Sequence, residues 1–258
     1  VANHELLYLG VSGDGDSASI GIGQFIHAAR RQPNMIYIVE NNGTYGLTKG
    51  QYSPTSELGK KTKSTPLGSI DHPFNPLALC MGADATFIAR AMDREPKHMR
   101  EILMHANNHK GTSLIEIYQN CNIFNDRAFG TFTDKEIKKE NSIYLEHGKP
   151  LIFGSKGDKG IVLDGFQPRI VDLDSDTELT ENIWIHDVHD RNKANILSRF
   201  FDDPSNENTL PRPFGIFYQE SRFCYEDALG EQLKNVKQSK GTPDLDQLLS
   251  GPNIWEIK

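Results

Sequence analysis

The stretch Leu6-Leu-Tyr-Leu-Gly-Val-Ser-Gly-Asp-Gly-Asp16 decides the fold class. Its apolar run, Leu6 to Val11, is short and is followed by Gly13-Asp14-Gly15-Asp16, which reads as a buried strand ending in a tight loop. Ser17 is placed to cap a helix. From Ala18 to Arg31 the apolar positions Ile20, Ile22, Phe25, Ile26 and Ala29 recur at helical spacing, and Pro33 lies just past the basic end. Met35 to Val39 is a second apolar strand, closed by Glu40-Asn41-Asn42-Gly43.

Outward from this unit the same order repeats. A helix is expected near Pro76 to Met81, a strand near Ala85 to Ile88, a helix near Pro96 to His109 and a strand from Ser113 to Tyr118. Such alternation predicts an α/β fold, a mostly parallel sheet with helices on both faces, over residues 1–130. Beyond residue 120 the character changes. Gly154, Gly157, Gly160 and Gly165 punctuate the short apolar runs Leu151 to Phe153, Ile161 to Leu163 and Ile170 to Leu173, and an acidic stretch, Asp172 to Glu181, follows. Residues 131–258 are therefore expected to form a smaller α+β region with hairpins and with helices at Lys193 to Phe201 and Glu226 to Lys237.

The bulk numbers exclude several classes of function. A formal charge of -7 argues against nucleic acid, whose binding rests on Lys and Arg neutralising phosphates. No apolar run approaches the roughly 20 residues of a membrane span, and Val1-Ala2-Asn3-His4-Glu5 lacks the features of a signal peptide. A cytoplasmic protein with no membrane partner is the expectation. Cys80, Cys121 and Cys224 are dispersed and odd in number, so reduced thiols are expected rather than disulfides. The absence of an initiator Met before so early a strand suggests that the chain starts inside a domain, N-terminally incomplete.

In parallel sheets, ligands sit beyond the carboxyl ends of the strands, where helix amino termini offer N–H groups to phosphate. Gly13-Asp14-Gly15-Asp16 and Glu40-Asn41-Asn42-Gly43 occupy two such ends. Gly13 and Gly15 let the backbone approach an anion, while Asp14 and Asn42 supply hard oxygens. A pyrophosphate beside a carboxylate needs a cation between them, and magnesium prefers oxygens shared among protein, phosphate and water. The competing reading is two surface turns, which the strand contexts disfavour. An EF-hand calcium loop fails because Ala18 and Ser19 stand where a ligand and a glycine are needed. Asn42-Gly-Thr44 is a glycosylation sequon only in a secreted protein.

Gly-Asp-Gly followed by Asn 28 positions after the Asp resembles the thiamine-diphosphate motif. That resemblance implies that Asp14, the Asn42 side chain and the Thr44 backbone oxygen bind Mg2+, and that Gly13, Gly15, Asp16, Gly46 and Leu47 line the diphosphate. The segments Tyr45-Gly-Leu-Thr-Lys-Gly-Gln-Tyr-Ser-Pro-Thr-Ser56, Lys61-Thr-Lys-Ser-Thr-Pro66 and Glu116-Ile-Tyr-Gln-Asn-Cys-Asn122 resemble the beta subunits of 2-oxoacid:ferredoxin oxidoreductases. The likeness is close over residues 10 to 130 and looser through Gly148-Lys-Pro-Leu, Lys159-Gly-Ile-Val-Leu-Asp-Gly and Pro211-Arg-Pro-Phe-Gly. It implies oxidative decarboxylation of a 2-oxoacid, with electrons passing through iron-sulfur centres to ferredoxin and the acyl group to coenzyme A. It also implies an alpha subunit as partner, supplying the glutamate that activates the cofactor.

The resemblance further implies Cys121 as the last ligand of a [4Fe-4S] cluster whose other cysteines lie outside this chain, whereas Cys80 and Cys224 match no ligand position. The Gly-Leu-Thr-Lys pattern resembles the 2-oxoglutarate-specific type, with Lys49 holding the distal carboxylate of the substrate. Lys60-Lys61-Thr62-Lys63 reads as a solvated loop, its alternative being attraction for an acidic ferredoxin or a coenzyme A phosphate. His27, beside Phe25 and Ile26, reads as structural. The competing functions are an oxidoreductase for pyruvate or another 2-oxoacid, a thiamine decarboxylase or synthase without ferredoxin, and a magnesium-diphosphate binding module without turnover.

Overall fold

The computed structural model describes residues 3, 5–175, 181–201, 209–241, 243–252 and 255. Four parallel strands form the frame: β1 (Leu9–Gly13), β2 (Met35–Asn41), β3 (Phe87–Met92) and β4 (Thr112–Tyr118), in the order β1-β2-β4-β3. Every residue of β3 and β4 is buried, as expected of parallel strands covered on both faces. Helices α1 (Ile22–Arg31), α2 (Pro76–Gly82) and α3 (Pro96–Asn108) connect them. Asn75 caps α2 by accepting from the Ala78 N–H (3.1 Å), and proline opens both α2 and α3, where its missing N–H costs nothing.

The two faces of the sheet carry separate cores. Phe25 and Ala29 of α1 and Leu77, Cys80 and Met81 of α2 pack with Val39, Ile88 and Leu114 on one face. Ile102 and Ala106 of α3 cover Ile36, Ile38, Phe87 and Ile115 on the other. The sheet runs across the division expected at residue 130. Two further strands, β5 (Ser142–Leu145) and β9 (Arg212–Gln219), extend it, β9 antiparallel to β3 and β5 parallel to β9.

The short helices α4 (Gly130–Thr133) and α5 (Lys138–Asn141) precede β5, and between β5 and β9 the chain forms a small antiparallel sheet of β6 (Ile152–Phe153), β7 (Lys159–Asp164) and β8 (Gln167–Asp172). The β7-β8 hairpin turns at Gly165, whose φ of 62° favours glycine. Helix α6 (Arg191–Ser198) seals the first core with Ala194 and Leu197, and α7 (Tyr225–Lys240) and α8 (Leu245–Ser250) follow. The expected hairpins and the two expected helices of this half are thus present. Residues 176–180 of the acidic stretch lie outside the described residues.

Two local expectations are corrected. The run Leu6 to Val11 is not buried: β1 is the outer strand of the sheet, and Leu6, Leu7, Leu9 and Val11 are exposed. Ser17 caps nothing, because helical geometry begins at Asp14 and passes through a π-helical turn, Asp16–Ile20. Ser17 is buried instead, its hydroxyl 2.5 Å from that of Ser12.

Candidate active site

The parallel strands end level with one another, Gly13 beside Glu40 and Asn41 beside Tyr118, so the segments that follow them meet. Asp14 is 1% exposed. Its Oδ2 accepts from the hydroxyls of Ser53 and Thr55, both at 2.5 Å, and its Oδ1 accepts from the Asn42 N–H at 3.4 Å. These donors are neutral, and among the described residues no cationic side chain pairs with the carboxylate. Burial pushes the Asp14 carboxyl above its usual range, against the opposing pull of the Ser53 and Thr55 hydroxyls. A buried carboxylate held by neutral donors alone fits a hard cation that would complete its charge balance.

The other expected residues surround it unequally. Gly15 is buried beneath the Tyr45 ring; a Cβ there would lie 2.1 Å from the ring, so any side chain would have to displace it. Asp16 is exposed, and its Oδ2 accepts from the Gly13 N–H at 3.3 Å. The Asn42 Oδ1 accepts from the Thr44 N–H at 3.2 Å, an Asx turn that leaves one lone pair of the amide oxygen for a metal. Thr44 is buried, its hydroxyl donating to the Gln51 carbonyl. Gly46 and Leu47 lie in the loop that closes between Tyr45 and Gln51, Leu47 almost fully exposed at 99%. Lys49, in the same loop, is exposed with a φ of 71° and makes no ion pair among the described residues.

Cys121 follows β4 in a turn closed by the Asn125 N–H donating to the Cys121 carbonyl at 2.9 Å. The Asn125 amide donates to the carbonyls of Asn42 (2.9 Å) and Gly43 (3.2 Å), so the half-buried cysteine's turn is tied to the Asp14-Asn42 loops. Cys80 and Cys224 are buried elsewhere, and burial drives the Cys80 thiol upward. No group of three or more His, Cys, Asp or Glu side chains among the described residues could hold a metal. His27 is exposed, and Lys60 alone of the basic run turns inward, toward Asn125.

Residues 2–117 match the family described as thiamine pyrophosphate enzyme, C-terminal TPP binding domain. The whole chain aligns at 43% identity with a 2-oxoglutarate oxidoreductase subunit KorB of Mycobacterium tuberculosis, of which it covers 68%. The chain is a beta subunit of the 2-oxoglutarate:ferredoxin oxidoreductase family. A 2-oxoacid:ferredoxin oxidoreductase beta subunit of Saccharolobus solfataricus is 44% identical over 54% of this chain and 46% of its own length. The chain thus spans about two thirds of one relative, and its match covers about half of the other. A solved 2-oxoglutarate:ferredoxin oxidoreductase from Magnetococcus marinus, with 2-oxoglutarate, coenzyme A and succinyl-CoA bound, superposes with a TM-score of 0.68 at 27% identity. That match covers 97% of this chain and 70% of the other.

A beta subunit of this family implies partner subunits and a thiamine-diphosphate-binding domain, which the sheet and its loops provide. The described residues include no helix long and apolar enough to cross a membrane. The structure adds residues that the sequence reading missed. Beneath the loops, the Asn41 amide donates to Glu116 Oε1 at 2.8 Å, and Arg90 Nε donates to Glu116 Oε2 at 2.7 Å. Arg90 and Glu116 are both buried, with the guanidinium over the rings of Tyr118 and Phe217. A single charge, opposite in sign, in each of two largely apolar strands was the available signal. Ser53, Thr55 and Ser56 carried none beyond standing in a segment that resembled the family.

Proposed function

We propose that this chain, assembled with its alpha subunit, holds magnesium thiamine diphosphate and serves the oxidative decarboxylation of 2-oxoglutarate. The products are an acyl-CoA and CO2, with two electrons passed to ferredoxin. The Mycobacterium relative's name and the ligands of the Magnetococcus enzyme support the substrate and coenzyme A. A cytoplasmic setting accords with these soluble reactants. When bound, thiamine diphosphate supplies the carbanion chemistry; the protein supplies orientation and electrostatics.

In this reading Asp14, the Asn42 amide oxygen and the Thr44 carbonyl hold Mg2+. Gly13, Gly15, Asp16, Gly46 and Leu47 line the diphosphate. Lys49 pairs with the distal carboxylate of 2-oxoglutarate. Cys121 ligates a [4Fe-4S] cluster completed by cysteines beyond this chain, since four thiolates are the usual set and Cys80 and Cys224 are buried elsewhere.

The observation that carries the proposal is Asp14, a buried carboxylate at a strand end with only neutral donors beside it. Asp14→Ala should abolish retention of thiamine diphosphate. Calorimetry on the assembled complex with and without Mg2+ tests it, and an unchanged cofactor affinity in the variant would sink the metal assignment.

A further inference from the structure

After the loop that closes between Tyr45 and Gln51, the chain returns under the site as Ser53-Pro54-Thr55-Ser56, with Ser53 and Ser56 buried. The hydroxyls of Ser53 and Thr55 converge on the same oxygen of Asp14, Oδ2, from 39 and 41 positions along the chain. The other oxygen, Oδ1, has only the long contact from Asn42. Two short bonds on one oxygen fix the rotation of the carboxylate and leave Oδ1 facing the Asn42 loop.

The third hydroxyl acts on the second loop. Ser56 Oγ accepts from the Ser53 N–H at 2.8 Å and donates to the Gly43 carbonyl at 2.7 Å. Thr55 also lies 2.9 Å from Asn41 Oδ1. It has one proton to give, and the charged carboxylate is the stronger acceptor. Asn41 Oδ1 then keeps the Gly43 N–H, 3.1 Å away.

We propose that Ser53-Pro54-Thr55-Ser56 is a latch: its three hydroxyls hold the Asp14 carboxylate and the loop after β2 in one geometry, so that magnesium diphosphate meets a preformed cradle. Ser53, Thr55 and Ser56 are positioning residues, which act through Asp14 and Gly43. The inference rests on Asp14 as a magnesium ligand and goes beyond it. A turn that merely satisfied its own hydroxyls would not spend two of them on a buried carboxylate distant in sequence. Hydrogen bonds to a metal ligand are worth about 10- to 100-fold in metal affinity when removed.

The test titrates thiamine diphosphate calorimetrically into the assembled complex, with and without Mg2+. The forms compared are the unsubstituted complex, Ser53→Ala, Thr55→Val, Thr55→Ser and Asp14→Ala. Ser53→Ala and Thr55→Val should each cut the magnesium-dependent gain in affinity by about 10- to 100-fold and leave the magnesium-free affinity in place. Thr55→Ser, which keeps the hydroxyl, should restore the gain. Ser53→Ala carries the test alone should Thr55→Val not assemble. The latch is overturned if the gain survives Ser53→Ala while Asp14→Ala loses it. It is also overturned if affinity falls equally with and without Mg2+ and Thr55→Ser fails to rescue, since the segment would then only hold the fold. A gain that survives Asp14→Ala removes the metal reading itself, and the latch with it.

Discussion

The two ends of the main sheet both carry buried polar clusters, and they differ in how their charge is settled. At the amino end, Gln32 Oε1 accepts from the Thr86 hydroxyl (2.5 Å) and the Thr112 N–H (3.1 Å), while His109 Nε2 lies 2.9 Å from the same hydroxyl. Every polar partner there is neutral or neutralised by burial, since desolvation lowers His109 from its usual range. At the carboxyl end Arg90 and Glu116 offset each other, but the buried Asp14 carboxyl has no cationic side chain to answer it among the described residues. One end closes on itself, and the other is left with a carboxyl that a ligand would answer. Buried polarity alone therefore does not mark a site; an unbalanced buried charge does.

The largest expected effect breaks the carboxyl end. Arg90→Ala strands Glu116, 3% exposed, as an uncompensated buried charge, at about 3 to 5 kcal/mol. For a domain of this size that lowers Tm by roughly 10 °C, read by calorimetry or circular dichroism on the complex. Arg90→Met with Glu116→Leu, which removes both charges, should recover most of the loss. A double variant no better than the single one would mean that packing of the guanidinium on Tyr118 and Phe217, not charge, is what matters.

Lys49 tests the outward side of that end. Lys49→Met, unbranched at Cβ like lysine, should depress kcat/KM for 2-oxoglutarate by about ten- to a hundredfold, the worth of one hydrogen bond to a charged group. Pyruvate, with no distal carboxylate, should be little affected. Equal impairment of both substrates would assign Lys49, at its φ of 71°, to supporting the loop.

Asp14→Asn sharpens the comparison further. Because burial raises the Asp14 carboxyl, its ionised form weighs against folding when no cation is bound. The amide keeps the shape without the charge. The cofactor-free complex should therefore gain on the order of 1 kcal/mol, seen as a higher Tm, while magnesium-dependent cofactor binding is lost. A lower Tm would show that the Ser53 and Thr55 hydroxyls already offset the burial.

The first half of the chain was legible because its apolar runs keep one period at a time. Met35 to Val39 and Ser113 to Tyr118 read as strands and became β2 and β4, and the Phe25-Ala29 spacing became the buried face of α1. Leu6 to Val11 misled because an apolar run does not say whether a strand is central or at the edge. The strands β5 and β9 were missed for a related reason. Ser142 to Leu145 is four residues long, and Arg212 to Gln219 carries Pro213 and Gly215, features that argue locally against a strand. At the site, Gly-Asp-Gly and the later Asn stood out by their resemblance to a known motif, and the fold brings their two loops together. Ser53, Thr55 and Ser56 could not be singled out, because a hydroxyl's role depends on which distant carboxylate or carbonyl the fold brings to it.

The smallest expected effect belongs to the amino end and has the opposite sign from Asp14. His109 is buried among Thr86, Gln32 and Phe87, and desolvation lowers its pKa below the ordinary value of 6.5. The unfolded chain therefore takes up its proton at a higher pH than the folded one. Stability contributed by the neutral imidazole is fully present above about pH 6.5 and is lost as pH falls through the folded value. The Asp14 carboxyl, raised rather than lowered, works the other way, since acid relieves it. In the cofactor-free complex, Tm should thus fall over the range below about pH 6.5, where the unfolded chain takes up the proton first. His109→Gln should flatten part of that fall, leaving the remainder to His98 and His186, which burial lowers in the same direction. Thermal melts across this range, with and without the substitution, are the measurement. An unchanged slope would place the acid sensitivity entirely in those two histidines, and the amino-end cluster would count as polar packing with no titrating member.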